Sequence, residues 1–279
     1  MKNSTFEIKR SLIIFRMEFL RKIKNTLIWS AATTAMMFLY LMLYSSMEDL
    51  ILEKLEDMPA ELLSIMGISG TEGITNFMSY FGMIYGIFVL VFSIYSIVSS
   101  CSLLYEEEKS GTIEFLNAQE VSRLEIYVGK LLVLFANILI VILCSYIAII
   151  ISGYSVAPDI FSVGNVSIVV FINLITILFF AAVGFFLSTV LKKTQKPSSI
   201  TLGLFLVTYL LGYLGDLLED RGTALGYLSP IHITQATKLL NSTMCGGMIS
   251  YNFTGLIVIS VFTIVLFVAG AFTYNKKDF

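Results

Sequence analysis

Long apolar runs alternate with short polar segments along the chain. Six runs are long enough to cross a bilayer: 27–47, 76–104, 131–153, 161–191, 200–217 and 253–274. A helix needs about 20 mostly apolar residues for that crossing. None of the six carries a formal charge near its centre. Lipid offers no partners for free backbone groups, so such runs predict helices. Barrel strands would appear as short alternating segments, and these runs do not alternate. The predicted fold is an all-α integral membrane protein, a single transmembrane domain over 1–279 with six transmembrane helices.

Ahead of the first run the periodicity changes. Ile8, Leu12, Phe15, Phe19 and Ile23 recur at spacings of four, three, four and four, which puts them on one helix face. Lys9, Arg16 and Lys24 fall elsewhere on the wheel, and Glu18 with Lys22 is a favourable i,i+4 pair. A basic amphipathic helix over 5–25, lying in the membrane interface, is expected. The run that follows is long enough to span and no small-residue cleavage site stands out, so it reads as a retained first span rather than a signal peptide.

Of the polar segments, 105–130 is the richest. It opens on Tyr105, Glu106, Glu107, Glu108 and Lys109, and Gly111 is placed to stop a helix descending from the second span. Ser122 with Glu125 fits a capping box, which starts the third membrane helix there. A short helix over 112–118 is expected between them, offering Ile113, Phe115 and Leu116 for contact. Interleaved charged and apolar residues point to a docking surface more than to a solvated acidic loop. Elsewhere, Gly67, Gly70 and Gly73 suggest turns, Pro197 breaks the chain between the fourth and fifth spans, and Ser229-Pro230 starts a short amphipathic helix.

Composition supports the hydropathy. The 279 residues are 57% apolar and 14% charged, and the mean hydropathy is +0.85. A soluble domain would hold roughly 45–50% apolar and about 25% charged residues. The net charge of −2 points to no nucleic-acid partner. The distribution of Lys and Arg says more, because basic residues collect on the cytoplasmic side. With the N-terminus inside, segments 1–26, 105–130, 192–199 and 275–279 hold 7, 3, 3 and 2 of them, 15 of the 18. The remaining 3 lie in 48–75, 154–160 and 218–252. Both termini are therefore expected in the cytoplasm, with the chain multi-pass in the cell membrane.

What the chain lacks narrows the function. His232 is the only histidine, which removes HExxH zinc sites and all but removes His-based triads; it reads as an ordinary surface residue of an outer loop. There is no P-loop: Gly129-Lys130 lacks both the upstream glycine and the following hydroxyl. Cys101, Cys144 and Cys245 have no metal or redox spacing and read as small apolar residues. No Asp, Glu, Lys or Arg sits mid-span, where an ion-coupled carrier would place one. The mid-span polar groups are Asn137, Asn173 and Thr176, of a kind that bridges helices more often than it binds substrate. Gly82 and Gly86 form a small-xxx-small pair suited to close helix packing. The second run is rich in aromatics, among them Tyr85 and Phe88; they fit core or lipid packing, or a pathway for amphipathic cargo.

Taken together these features resemble the membrane subunit of ABC-2 type transporters, the permease half of bacterial ABC exporters. The matching residues are Glu106, Glu107, Glu108, Gly111, Thr112 and Glu114, then Ser122-Arg123 with Glu125-Ile126 and Gly129-Lys130, and Leu228-Ser229-Pro230 before the last span. The resemblance implies a permease dimer, with this chain pairing with a second copy, and two copies of a separate cytoplasmic ATPase that binds ATP and Mg. No cofactor is expected in this chain and no catalysis by it. Loop 105–130 becomes the coupling loop, with Phe115 joining the matched residues as an ATPase contact, and 5–25 becomes the elbow helix. The pathway candidates are Tyr85, Phe88, Asn137 and Asn173. The cargo implied is amphipathic or hydrophobic: peptide, lipid or drug. A secondary carrier or channel, or a membrane scaffold that transports nothing, are the alternatives.

Overall fold

The computed structural model describes residues 8–44, 77–110, 122–191, 195–218, 226–237, 239–240 and 253–276, with backbone only at 106–110 and 216. Every element in these residues is helical. In chain order they are α1 (Ile8–Met42), α2 (Phe77–Ser110), α3 (Arg123–Val156), α4 (Val163–Val190), α5 (Pro197–Leu217), α6 (Pro230–Ile233) and α7 (Phe253–Lys276). Five of them are long and apolar enough to cross a membrane: α2 through Tyr105, α3, α4, α5 through Gly215, and α7.

α1 is not among those five, and it departs from the expected layout. A separate interfacial helix over 5–25 and a span over 27–47 were expected; the chain instead runs as one helix from Ile8 to Met42. The reason is local. No Gly or Pro interrupts these residues, and the Thr26 hydroxyl at the expected junction donates to the Lys22 carbonyl within the helix. The apolar half of α1 carries Ser30 and Thr33, both buried, with Thr33 donating to the carbonyls of Trp29 and Ser30. These residues lower its hydropathy and turn inward.

Local signals set the other boundaries. Ser122 accepts from the Glu125 amide while the Glu125 carboxylate accepts from the Ser122 amide at 2.7 Å, a complete capping box that starts α3. Ser162 caps α4, and Pro197 occupies the first turn of α5. Ser229 caps α6 with Pro230 in its first turn, but α6 is a single turn that ends at Thr234.

α2 and α4 form the centre of the bundle. α2 packs mainly on α4 and also touches α1, α3 and α5; α4 also holds α5 and α7, and α1 lies along α3. A seam of small polar groups joins the central pair. Ser96 donates to the Ile177 carbonyl at 3.1 Å and Cys101 to the Gly184 carbonyl at 3.5 Å. A Cβ at Gly184 would come within 2.5 Å of Ser100 Oγ, so glycine is what lets the two backbones approach. Neutral hydrogen bonds of this kind satisfy polar groups where lipid cannot. α5 and α7 keep most of their apolar surface outward, as helices facing lipid or another chain do.

Candidate functional site

Two regions carry features beyond packing, one at each end of the bundle. The first surrounds the connection from α2 to α3. At this end the first described turns of α1 meet the first turns of α3: a Cβ at Gly129 would fall 2.9 Å from both Ile14 and the Ser11 carbonyl oxygen. Lys22 donates to Ser102 of α2 at 3.4 Å, and Tyr95 to Thr26 of α1 at 3.1 Å. Arg123 donates to the Asn275 carbonyl at 3.3 Å, which brings the last turn of α7 to the same place. Tyr127 donates to the Phe267 carbonyl at 2.7 Å and packs on Phe185 and Tyr274. Lys130, almost fully buried, donates to the Leu103 carbonyl of α2. The start of α1, the end of α2, the start of α3 and the end of α7 are thus fastened together around the 111–121 connection.

The expected coupling residues fall partly within this frame. Glu106, Glu107 and Glu108 belong to the last turns of α2, which continues beyond the apolar run to Ser110. Gly111, Thr112, Glu114 and Phe115, and the short helix expected over 112–118, lie outside the described residues. The elbow residues divide. Ile8 and Leu12 are exposed, while Phe15 and Phe19 stack at 5.5 Å and lie half-buried against the core. The inward line of α1 here is Ser11 and Glu18 rather than the apolar face alone. Glu18 pairs with Arg21 at 2.8 Å.

The second region is a cavity of about 240 Å³ near the opposite end. α2 contributes Gly82, Gly86 and Leu90, and α4 contributes Asn173. α5 contributes Tyr209, Gly212 and Tyr213, and the segment that follows α5 contributes His232, Gln235 and Thr237. Gly212 allows a close approach, since a Cβ there would lie 2.6 Å from Ser229 Oγ. Thr176 and Thr234 share a 2.8 Å hydrogen bond that ties α4 to the end of α6, the helix-bridging role expected of Thr176. His232 is half-buried and lines the cavity, with its ring over Gly226, so it is not the ordinary surface residue expected.

The four pathway candidates do not converge. Asn173 lines this cavity, with its Nδ2 donating to the Val169 carbonyl at 2.9 Å. Phe88 lines a different space, about 350 Å³, between α1 and α2. Tyr85 and Asn137 are buried in the core, and neither the Tyr85 hydroxyl nor Asn137 Oδ1 has a hydrogen-bond partner among the described residues. Sequence reasoning missed Tyr209, Tyr213, Gln235 and Thr237, and gave Lys130 no role beyond its place in the Gly129-Lys130 pair. Asn173 and the Gly82–Gly86 spacing were the signals pointing at the cavity. Among the described residues no cluster of His, Cys, Asp or Glu could hold a metal ion. Cys101 is buried in the α2–α4 seam and Cys144 is half-buried, while Cys245 lies outside the described residues.

A family model described as ABC-2 family transporter protein matches residues 12–279. No curated protein and no solved structure matches the chain.

Proposed function

The chain belongs to the ABC-2 transporter family, and from that premise we propose that it is the permease subunit of an ATP-driven exporter. Membership makes it a multi-pass membrane component and implies an ABC ATPase as its partner. In this reading 27–47 is the first of six crossings and both termini lie in the cytoplasm of a cell-membrane protein. Two ATPase subunits bind ATP and Mg below, and a second copy of this chain completes a homodimer. The cargo is amphipathic or hydrophobic and moves outward.

The observation that carries the reading is the fastened end of the bundle. An energy source outside the membrane has to act through a stiff element. α2 and α3 enter the 111–121 connection as long helices, and Lys130 locks one to the other just inside it. A push on that connection would move both helices as a unit, with α1 and α7 attached through Gly129 and Arg123. Glu106, Glu107, Glu108, Gly111, Thr112, Glu114 and Phe115 are the proposed ATPase-facing set. Asn173 and Phe88 are the pathway candidates with open space beside them. Tyr85 and Asn137 would reach cargo only if helices part during the cycle.

The test is purification of the chain from its native membrane in several mild detergents, with mass spectrometry of what co-purifies. A P-loop ATPase at about one per chain, as expected from a two-plus-two assembly, supports the reading. Its absence under every detergent overturns it.

A further inference from the structure

α1 and α3 lie side by side, yet over one stretch they leave a groove of about 510 Å³ between them. Its sides are Leu27, Ala31, Ala35 and Phe38 of α1 with Ile147 and Ile151 of α3. All of these but Phe38 are exposed, so the groove is open to whatever surrounds the bundle. Ala31 and Ala35 make the room, each carrying a single methyl between the larger Leu27 and Phe38. The Thr34 hydroxyl oxygen is fully buried and takes no part. α3 is long and apolar enough to cross a membrane, which puts the groove at membrane depth. Leu27 to Phe38 is about 16 Å of helix, the depth of one leaflet of a hydrocarbon core about 30 Å thick. A cavity of about 150 Å³ takes up benzene; by that scale 510 Å³ holds on the order of twenty carbon atoms, one acyl chain.

Followed toward the start of α1, the same stripe turns basic. Arg16, Leu20, Lys24, Leu27, Ala31 and Ala35 recur at spacings of four, four, three, four and four, which keeps them on one face. All six are exposed. The single acidic residue of each flanking helix is buried: Glu18 of α1, paired with Arg21, and Glu125 of α3, held in its capping box. Neither helix therefore exposes a carboxylate. Lys22 reaches Ser102 of α2 at 3.4 Å, close to where the apolar stretch of α2 ends at Tyr105. Lys24 thus stands near the membrane edge, where a lysine lays its stem on apolar surface and keeps its ammonium in water. A second copy of the chain does not suit this stripe. A two-fold contact sets one patch against itself and would bring Arg16 and Lys24 of both copies together, a juxtaposition of like charges that disfavours association. We propose that the α1–α3 groove is a binding site for one anionic phospholipid. Its phosphate lies against Lys24 and Arg16, and one acyl chain runs along Ala31 and Ala35 toward Phe38. The inference rests on α3 crossing the membrane and needs neither an ATPase partner nor transport.

The test uses the full chain in phosphatidylcholine nanodiscs with a trace of phosphatidylglycerol that carries a photoactivated diazirine within one acyl chain. Peptide mapping locates the label, and unlabelled lipid is added to compete. The expected result is saturable labelling of 27–38 and 144–151. Unlabelled phosphatidylglycerol should displace it, and phosphatidylethanolamine, which has no net charge, about fivefold or more less well, as loss of one basic contact at an anionic headgroup predicts. Lys24→Gln should weaken labelling about fivefold, while the remaining basic residues still orient the chain. Ala31→Phe, at an exposed position, should fill the groove and abolish the labelling. Thermal unfolding checks each variant, and Ala35→Leu replaces an Ala31 variant that does not fold. A wild-type chain without saturable labelling overturns the proposal, and is the outcome if another chain covers the groove. So does equal displacement by phosphatidylethanolamine, or unchanged labelling in folded Lys24→Gln or Ala31→Phe.

Discussion

Lys130 of α3 donates to the main-chain carbonyl of Leu103 in α2, and almost none of the lysine is exposed. A lysine is rarely fully buried, and here it bridges the two helices that flank the proposed ATPase-facing connection. The bond fixes their spacing where force would enter. Lys130→Met keeps the length and apolar stem but removes the donor. We expect the variant to insert normally and to lose about 1–3 kcal/mol of stability. Transport should fall by about tenfold, within the range typical of coupling energies, while ATP hydrolysis by the partner persists. Thermal unfolding together with ATPase and transport assays checks this. Transport unchanged in Lys130→Met would mean that the two helices are coupled elsewhere.

Gly129 and Gly86 should respond oppositely to the same substitution. At Gly129 an added methyl meets the Ser11 carbonyl oxygen at 2.9 Å, a backbone atom that cannot swing aside. Gly129→Ala should therefore push α1 off α3 and cost about 1–3 kcal/mol, as overpacking does. At Gly86 nothing lies within 4 Å, and alanine favours a helix over glycine by about 0.5–1 kcal/mol. Gly86→Ala should be neutral to stabilising. Unfolding midpoints of the two variants in one detergent decide the matter, and equal shifts of either sign would contradict the packing described.

Much of this was legible from local chemistry. Ser122 with Glu125, Pro197 and Ser229-Pro230 each mark a helix start, because a cap is settled within one turn. The apolar runs marked α2 to α5 and α7 for the same reason. What stayed hidden depends on distant partners. Lys130 counted only as a basic residue near a membrane edge and as half of the matched Gly129-Lys130 pair, and its burial needs the Leu103 carbonyl across the helix pair. Gly82 and Gly86 are equivalent by spacing; they differ because 237–240 folds back onto one and not the other. The continuity of α1 was missed because a change in hydropathy was read as a break, although Asn25-Thr26 contains no residue that stops a helix.

Thr176 and Thr234 offer a test of how the 230–237 segment is held. Their hydroxyls lie 2.8 Å apart, both buried. Thr176→Val and Thr234→Val keep the shape and remove the bond. Hydrogen bonds between membrane helices average about 0.6 kcal/mol in double-mutant cycles. We expect a coupling energy of that size, measured by unfolding of both single variants and the pair. A coupling energy near zero would remove this bond as the anchor of α6 on α4.

Glu107 and Glu114 test the proposed ATPase-facing set. Glu107 lies in the last turns of α2, and Glu114 stands in the connection that follows. Charges at the rim of an interface act mainly through steering and weak pairing, each exposed pair contributing about 0.2–1 kcal/mol. Each single Ala variant should therefore weaken ATPase docking by no more than about fivefold, and the double variant should weaken it further. Membrane insertion should be untouched, because neither residue lies inside a span. Salt separates this from a folding defect: attraction between exposed charges is screened, so the gap between wild type and the double variant should narrow as ionic strength rises. Docking measured by co-purification across a salt series reads both effects. If docking and transport in the double variant match wild type at low salt, the acidic residues are not the contact, and the apolar residues Ile113, Phe115 and Leu116 become the ones to change.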